Sequence, residues 1–195
     1  MSAALHAAAQ SGDSAQVRQL LASGANPNEL NETGDGALHL AALNGHLDVV
    51  HALLEAGADA NIKDANDWTP LFKAAYNHEL DCGFAPVVQA LIDHGADVNA
   101  RIFYGITPLM LAAGGGEAAV CAALLDAGAD VKAANEGERT ALMMAKERFY
   151  VDVINLLYEA EGQVMETEGA SCASGMRKGP EGEGSKVISF IPRAH

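Results

Sequence analysis

Hydrophobic residues follow a helical spacing in two kinds of short segment that alternate along residues 1–162. The first kind begins with a Leu that paired Ala residues follow. The second kind carries pairs such as Val49, Val50, Leu53 and Leu54, and then meets a glycine. Apolar residues three and four apart form one buried face of a helix. The pattern therefore predicts pairs of short helices joined by tight turns.

Both kinds of segment recur at a fixed distance. The second appears as LLASGANPN from residue 20, LLEAGADAN from 53, LIDHGADVN from 91 and LLDAGADVK from 124. The first is marked by Leu5, Leu38, Leu71, Leu109 and Leu142, which step by 33, 33, 38 and 33 residues. A period of this length over successive units predicts stacked repeats, each of which packs against its neighbours.

These strings resemble the ankyrin-repeat family, whose unit reads approximately GxTPLHxAAxxGHxxVVxLLxxGADVNxxD. DWTPLFKAA and YGITPLMLAA correspond to its first half, and NGHLDVVHALLEAGADANIKD corresponds to its second half. The resemblance implies an all-α solenoid of about five repeats with short β-hairpin fingers, in which the first and last repeats act as caps. It also implies that His6, His39 and His46 make structural hydrogen bonds.

Local signals indicate where the helices begin and end. Thr69 and Thr107 each precede a proline, so their hydroxyls are predicted to cap helices that start at that proline. The second helix of each unit is predicted to end at a left-handed glycine. The glycines at this position are Gly24, Gly57, Gly95 and Gly128.

Two segments depart from the period. The third repeat carries five extra residues near Asn77 to Cys82, between its two predicted helices, and we expect this insertion to project as a loop. Residues 163–195 lose the period and are rich in Gly, Ser and charged residues, which is the composition of a flexible tail, and they end in the apolar run Val187 to Ile191. We therefore predict a repeat domain at 1–162 followed by this tail.

The charge of the chain narrows the class of partner. The formal net charge is −14, and residues 163–195 carry four Lys+Arg and four Asp+Glu, so the acidic excess lies in residues 1–162. An acidic surface repels phosphate backbones, so we expect no nucleic acid and favour a partner with a basic or apolar surface. The alternative is that the acidity only maintains solubility.

Composition also bears on location. No apolar run approaches the roughly 18 residues of a membrane span, and the first residues lack the basic segment of a secretory signal. Cys82, Cys121 and Cys172 are an odd number without metal-type spacing, which indicates a reducing compartment. We expect a cytoplasmic protein without membrane contact. The oligomeric state is open, with a monomer as the expectation.

Two clusters have superficial signs of chemistry. His78, Glu79, Asp81 and Cys82 include a His and a Cys at helical spacing, but no third metal ligand follows at a known distance. Gly114 to Gly116 lack the Lys and Ser/Thr of a phosphate-binding loop, and we interpret them as a widened turn. We predict no enzyme, no cofactor and no metal; a small metal-dependent enzyme that uses the His78 to Cys82 insertion is the alternative.

Large apolar residues occupy the positions where the resemblance implies that partners bind, namely the finger tips and the exposed end of the first helix. These are Trp68, Tyr76, Phe103, Tyr104 and Ile106, with Asp35, Asp67 and Arg139 as polar surroundings. We expect the apolar positions to face solvent, where such groups indicate a contact site. The alternative is packing between neighbouring fingers.

The prediction that follows is a non-enzymatic module that binds a protein or peptide through its concave groove and finger tips. A second version concerns the C-terminal segment, which offers Lys186, Arg193 and the apolar run between them to an acidic, partly aromatic groove. In that version the protein is a self-regulated binder, because its own C-terminal peptide occupies the groove.

Overall fold

The computed structural model describes residues 2–77 and 82–162. These residues form ten α-helices: α1 (Ser2–Ser11), α2 (Ser14–Ala22), α3 (Ala37–Leu43), α4 (Leu47–Glu55), α5 (Pro70–Ala75), α6 (Ala85–Asp93), α7 (Pro108–Gly115), α8 (Ala118–Asp126), α9 (Ala141–Glu147) and α10 (Val151–Ala160). A 3-10 turn spans Phe103–Gly105. The predictions for the tail at 163–195 and for the tip of the insertion at 78–81 lie outside the described residues.

The helices form two layers. In one layer each odd-numbered helix packs against the next, from α1 through α9, and in the other each even-numbered helix packs against the next, from α2 through α10. Each odd-numbered helix also packs against the even-numbered helix that follows it. This arrangement confirms the predicted all-α repeat fold.

The repeated apolar positions form the core. Leu5, Leu38, Leu71, Leu109 and Leu142 are all buried at the start of their helices. In the even-numbered helices the buried positions include Val50, Leu53, Val88, Leu91, Leu124 and Leu157. Because each of these side chains is supplied by a short helix and packs against the neighbouring helices, the core continues along the stack.

The even-numbered helices end as predicted. Gly24, Gly57, Gly95 and Gly128 have φ angles between 84° and 89°, in the left-handed region. A β-carbon at any of the four would have no atom within 4 Å. The backbone conformation is therefore the reason for glycine at this position, and close packing is not.

The segments between the helix pairs are turns, so the predicted β-hairpin fingers are not confirmed. The described residues contain no β-strand, and two of these segments are closed by single antiparallel bridges, Leu30 to Gly36 and Ala134 to Thr140. Within the turns, hydrogen bonds to a side chain take the place of the backbone hydrogen bonds that would pair two strands. The Oδ1 atom of Asn31 accepts from the backbone N–H of Thr33 and Asp35. Asx turns of this kind satisfy the backbone locally and need no second strand.

Only one of the two predicted threonine caps forms. The Thr107 hydroxyl accepts a hydrogen bond from the N–H of Met110 at 3.3 Å, as expected. Thr69 has the same extended backbone but makes no such bond, and its Oγ1 is buried without a hydrogen-bond partner. The proline that follows Thr69 therefore marks the start of α5 correctly, although the hydroxyl does not stabilise it.

The glycine run Gly114 to Gly116 does not form the widened turn that was predicted. Gly114 and Gly115 lie inside α7, and only Gly116, with φ of 82°, forms the turn.

Among residues 2–77 and 82–162, no helix has the length and apolar content required to cross a membrane.

Candidate partner-binding groove

An open groove of about 310 Å³ lies along the odd-numbered helices, where α7 stands between α5 and α9. Its lining is almost entirely apolar, and Arg148 is the one charged residue. Four of the predicted contact residues line it: Trp68, Tyr76, Phe103 and Ile106. The structure thus brings together side chains that belong to different repeats.

Trp68 stands between two aromatic rings and an ammonium group. Its ring centroid is 6.0 Å from that of Phe72 and 6.1 Å from that of Phe103. The Nζ atom of Lys73 lies 5.3 Å from the Trp68 centroid, within the range of a cation–π interaction. The rings of Trp68 and Phe103 therefore pack between neighbouring turns and also line the groove.

The backbone of Trp68 is held on both sides. Its N–H donates to Asp64 Oδ1 at 2.9 Å, and its carbonyl accepts from His39 Nε2 at 2.9 Å. The other ring nitrogen of His39 accepts from the N–H of Gly36 at 3.1 Å, which assigns the proton of the neutral ring to Nε2. Burial lowers the pKa of His39. The neutral imidazole therefore makes structural hydrogen bonds, as the resemblance implied, and one of them holds the carbonyl of Trp68.

Lys73 pairs with two carboxylates at this end of the groove. Lys73 Nζ lies 2.8 Å from Asp64 Oδ2 and 3.6 Å from Asp35 Oδ1. Burial opposes the charge on Asp64, but the bonds from Lys73 and from the N–H groups of Trp68 and Asn66 together hold its pKa below the usual value. Asp35 does not line the groove; it belongs to this cluster.

Phe103 and Tyr104 project from the turn before α7. They are 55% and 68% exposed, and their rings meet edge to face at 5.7 Å. Tyr104 has φ of 59°, and its carbonyl accepts from the N–H of Glu136 in the next turn at 2.9 Å. A bulky residue in the left-handed region is strained, and such strain is concentrated at functional sites. Phe103 lines the groove, whereas Tyr104 contacts Phe103 and does not.

Ile102 was missed by sequence reasoning. Asn31, Asp64 and Asn135 occupy one position of the repeat and form Asx turns with their side-chain oxygens. In the fourth repeat this position holds Ile102, which is buried and lines the groove. The repeat register alone could have found it, because an aliphatic residue here breaks an otherwise polar column.

Tyr76 is not solvent-facing, contrary to the prediction, since only 7% of it is exposed. Helix α5 ends at Ala75, and the backbone of Tyr76 is extended (φ −161°, ψ 128°). The insertion causes this, because Asn77 and Cys82 pair with each other directly after the helix. The ring of Tyr76 then lies over Gly115, which has no side chain to exclude it.

The remaining predicted polar residues lie off the groove. Asp67 forms an exposed pair with Lys63 at 3.6 Å, and Arg139 pairs with Glu147. Leu111, Met144 and Arg148, which sequence reasoning did not propose, line the groove instead. Leu111 and Met144 each follow the repeated Leu by two residues, so the register could have indicated a shared face.

The described residues show no metal centre, since they contain no group of three His, Cys, Asp or Glu side chains placed to hold an ion. His78, Glu79 and Asp81 of the suggested zinc cluster lie outside those residues. Cys82, at the base of the insertion, is a half-buried free thiol. The groove lining contains no carboxylate, imidazole or thiol.

Comparison with known proteins adds one finding. A family model described as ankyrin repeats (3 copies) matches residues 5–102 and 82–168, which together make up most of the chain. A search of curated proteins finds no match to it.

Proposed function

The chain belongs to the ankyrin-repeat family, whose repeats are generally protein–protein interaction modules, and we propose that it binds a protein or peptide segment in the groove beside α7. Trp68, Phe103 and Ile106 act as its anchors, and the ten helices serve as five repeats. The module spans residues 1–162, is non-enzymatic and acts in the cytoplasm as a monomer.

The observation that carries this proposal is the apolar groove itself. Its volume of about 310 Å³ is at the lower end of the range for binding pockets. Aromatic residues at the centre of a contact surface supply most of the binding energy when they are desolvated. Trp68 is prepared for this role, because its backbone is hydrogen-bonded and its ring is packed before a partner arrives.

A groove-filling variant tests the proposal. A β-carbon on Gly114 would meet only Met144 Cβ, at 4.0 Å, so Gly114→Leu places an isobutyl group in open space at the groove. The matched control is Ala15→Leu, which adds the same group to an exposed position on α2. Tagged wild type, Gly114→Leu and Ala15→Leu are used to capture proteins from a cell extract, and the captured amounts are compared by quantitative mass spectrometry.

We expect at least one protein to be captured equally by wild type and Ala15→Leu and to be reduced about tenfold or more with Gly114→Leu. Thermal unfolding of each variant verifies that the fold is intact. Capture profiles that are the same for all three proteins would refute binding in this groove.

A further inference from the structure

One position of the repeat holds a charged residue only in the last repeat. The residue eight places after the Thr of the TPLH-type segment, or after its counterpart, is Ser11, Asn44, Asn77, Gly115 and Arg148 in successive repeats. Arg148 follows the last residue of α9 and lines the groove. The groove therefore has a guanidinium at one end, where the equivalent side chains are neutral.

The charged groups on either side of the groove already have partners. Lys73 pairs with Asp64 and Asp35 at the Trp68 end, and Arg139 pairs with Glu147 close to α9. Lys146, also on α9, lies with its Nζ 4.7 Å from the centroid of Tyr158.

Arg148 differs from these groups. Within residues 2–77 and 82–162 its exposed guanidinium makes neither an ion pair nor a hydrogen bond. Its charge is available to a ligand in the groove.

The volume of the apolar part of the groove limits the size of the ligand group that can lie beside Arg148. A cavity of about 150 Å³ holds one benzene ring, so about 310 Å³ has room for one or two bulky apolar side chains. An arginine presents two parallel N–H donors to a carboxylate, and such a pair is stronger next to apolar surface than in bulk water. A peptide that fills the groove can place a carboxylate on Arg148.

We propose that the segment bound in this groove presents a bulky apolar side chain next to an Asp or Glu whose carboxylate pairs with Arg148. This inference rests on the proposed function and specifies the chemistry of the partner. It also revises the expectation of a basic or apolar partner. The net charge of −14 governs long-range attraction, whereas a contact within the groove depends on the nearest unpaired charge.

The acidic surface makes this arrangement selective. An acidic segment is repelled from most of the molecule, and the apolar groove supplies the binding energy only where Arg148 offsets the repulsion. We assign the carboxylate to a side chain and not to a chain terminus, because the groove is open and a peptide can continue past it.

The test uses a phage-displayed library of random linear peptides selected on the full-length protein. Selected peptides are synthesised with amidated C-termini, and their affinities for wild type, Arg148→Gln, Arg18→Gln and Gly114→Leu are measured by fluorescence anisotropy. Arg18 is an exposed arginine on α2, away from the groove, and serves as the matched charge control. Thermal unfolding is followed in parallel, since a cation at the end of α9 also stabilises the helix.

We expect the selected peptides to share an apolar residue with an Asp or Glu close to it. Changing that acid to its amide should weaken binding to wild type and to Arg18→Gln about tenfold, and should have little effect on binding to Arg148→Gln. An equal loss with Arg148→Gln, or peptides without a shared acid, would overturn the Arg148 inference while binding in the groove stands. Peptides that bind Gly114→Leu as tightly as wild type would overturn the proposed function itself.

Discussion

The ring of Tyr76 lies against the backbone of Gly115, so closely that a β-carbon on Gly115 would come within 2.4 Å of Tyr76 Cδ2. The two residues belong to successive repeats, on opposite sides of the interface between α5 and α7. This contact buries Tyr76 and shapes the wall of the groove that both residues line.

Gly115→Ala is therefore expected to destabilise the protein, although alanine favours helices by up to about 1 kcal/mol over glycine. The new methyl group must displace a buried ring, and overpacking of this kind costs about 1–3 kcal/mol. Gly114→Ala is the matched control within the same helix, where the methyl group enters open space, and it should stabilise the protein by up to about 1 kcal/mol. Urea unfolding of both variants measures the difference; a stabilised Gly115→Ala would show that the Tyr76 contact is wrong.

Thr69 and Thr107 should respond in opposite ways to replacement by valine. The Thr107 hydroxyl caps α7, so Thr107→Val should lose about 1 kcal/mol of unfolding free energy. The Thr69 hydroxyl is buried without a partner, so Thr69→Val removes an unsatisfied polar group and should be neutral or stabilising by about 1 kcal/mol. Urea unfolding of the two variants side by side measures both changes. A comparable loss at Thr69 would reveal a hydrogen bond there.

Cys121 is expected to resist thiol reagents in the folded protein. Burial, with a smaller contribution from the charge of Glu117, raises the pKa of its thiol to about 12, so the reactive thiolate is scarce at neutral and mildly alkaline pH. Labelling of the native protein should therefore modify two cysteines quickly, with Cys82 and Cys172 as the predicted sites, and a third only on unfolding. Cys121→Ala is the control and should leave the fast phase unchanged; a smaller fast phase would contradict the burial of Cys121.

Leucine truncations should have position-dependent costs along the stack. Leu91 is fully buried in α6, which packs against α4 and α8, and Leu91→Ala should cost about 2–5 kcal/mol. Leu156 is only half-buried in α10, at the end of the described helices, so Leu156→Ala should cost less. Leu157→Ala, at a buried position of the same helix, tests whether exposure or the terminal location decides the cost. Equal losses at Leu91 and Leu156 would contradict the interpretation of the last repeat as a cap.

Short-range patterns in the sequence were sufficient for the helix pairs and for the glycine ends of the even-numbered helices. Leu5 and Leu38 are buried because each repeat must cover its apolar face against a neighbour, and the period marks that face directly. Gly57 ends α4 because the left-handed conformation is a property of one residue's backbone. The aromatic residues Trp68 and Phe103 could likewise be recognised, since the position of Phe103 holds Glu32, Ala65 and Glu136 in the other repeats, and Trp68 and Ile106 are the large apolar residues at a position that otherwise holds Asp35 and Arg139.

Only the tertiary structure decided how those residues meet. Trp68, Leu111 and Arg148 belong to three different repeats, and the period says nothing about the space left between their side chains. The size of that space depends on Gly114, which has no side chain to fill it, and on the burial of Tyr76 after the insertion shortens α5. Hydrophobic periodicity records which face of each helix is buried. A groove arises instead from the packing of several faces. That packing depends on side-chain volumes across repeats and on hydrogen bonds such as that from His39 to Trp68.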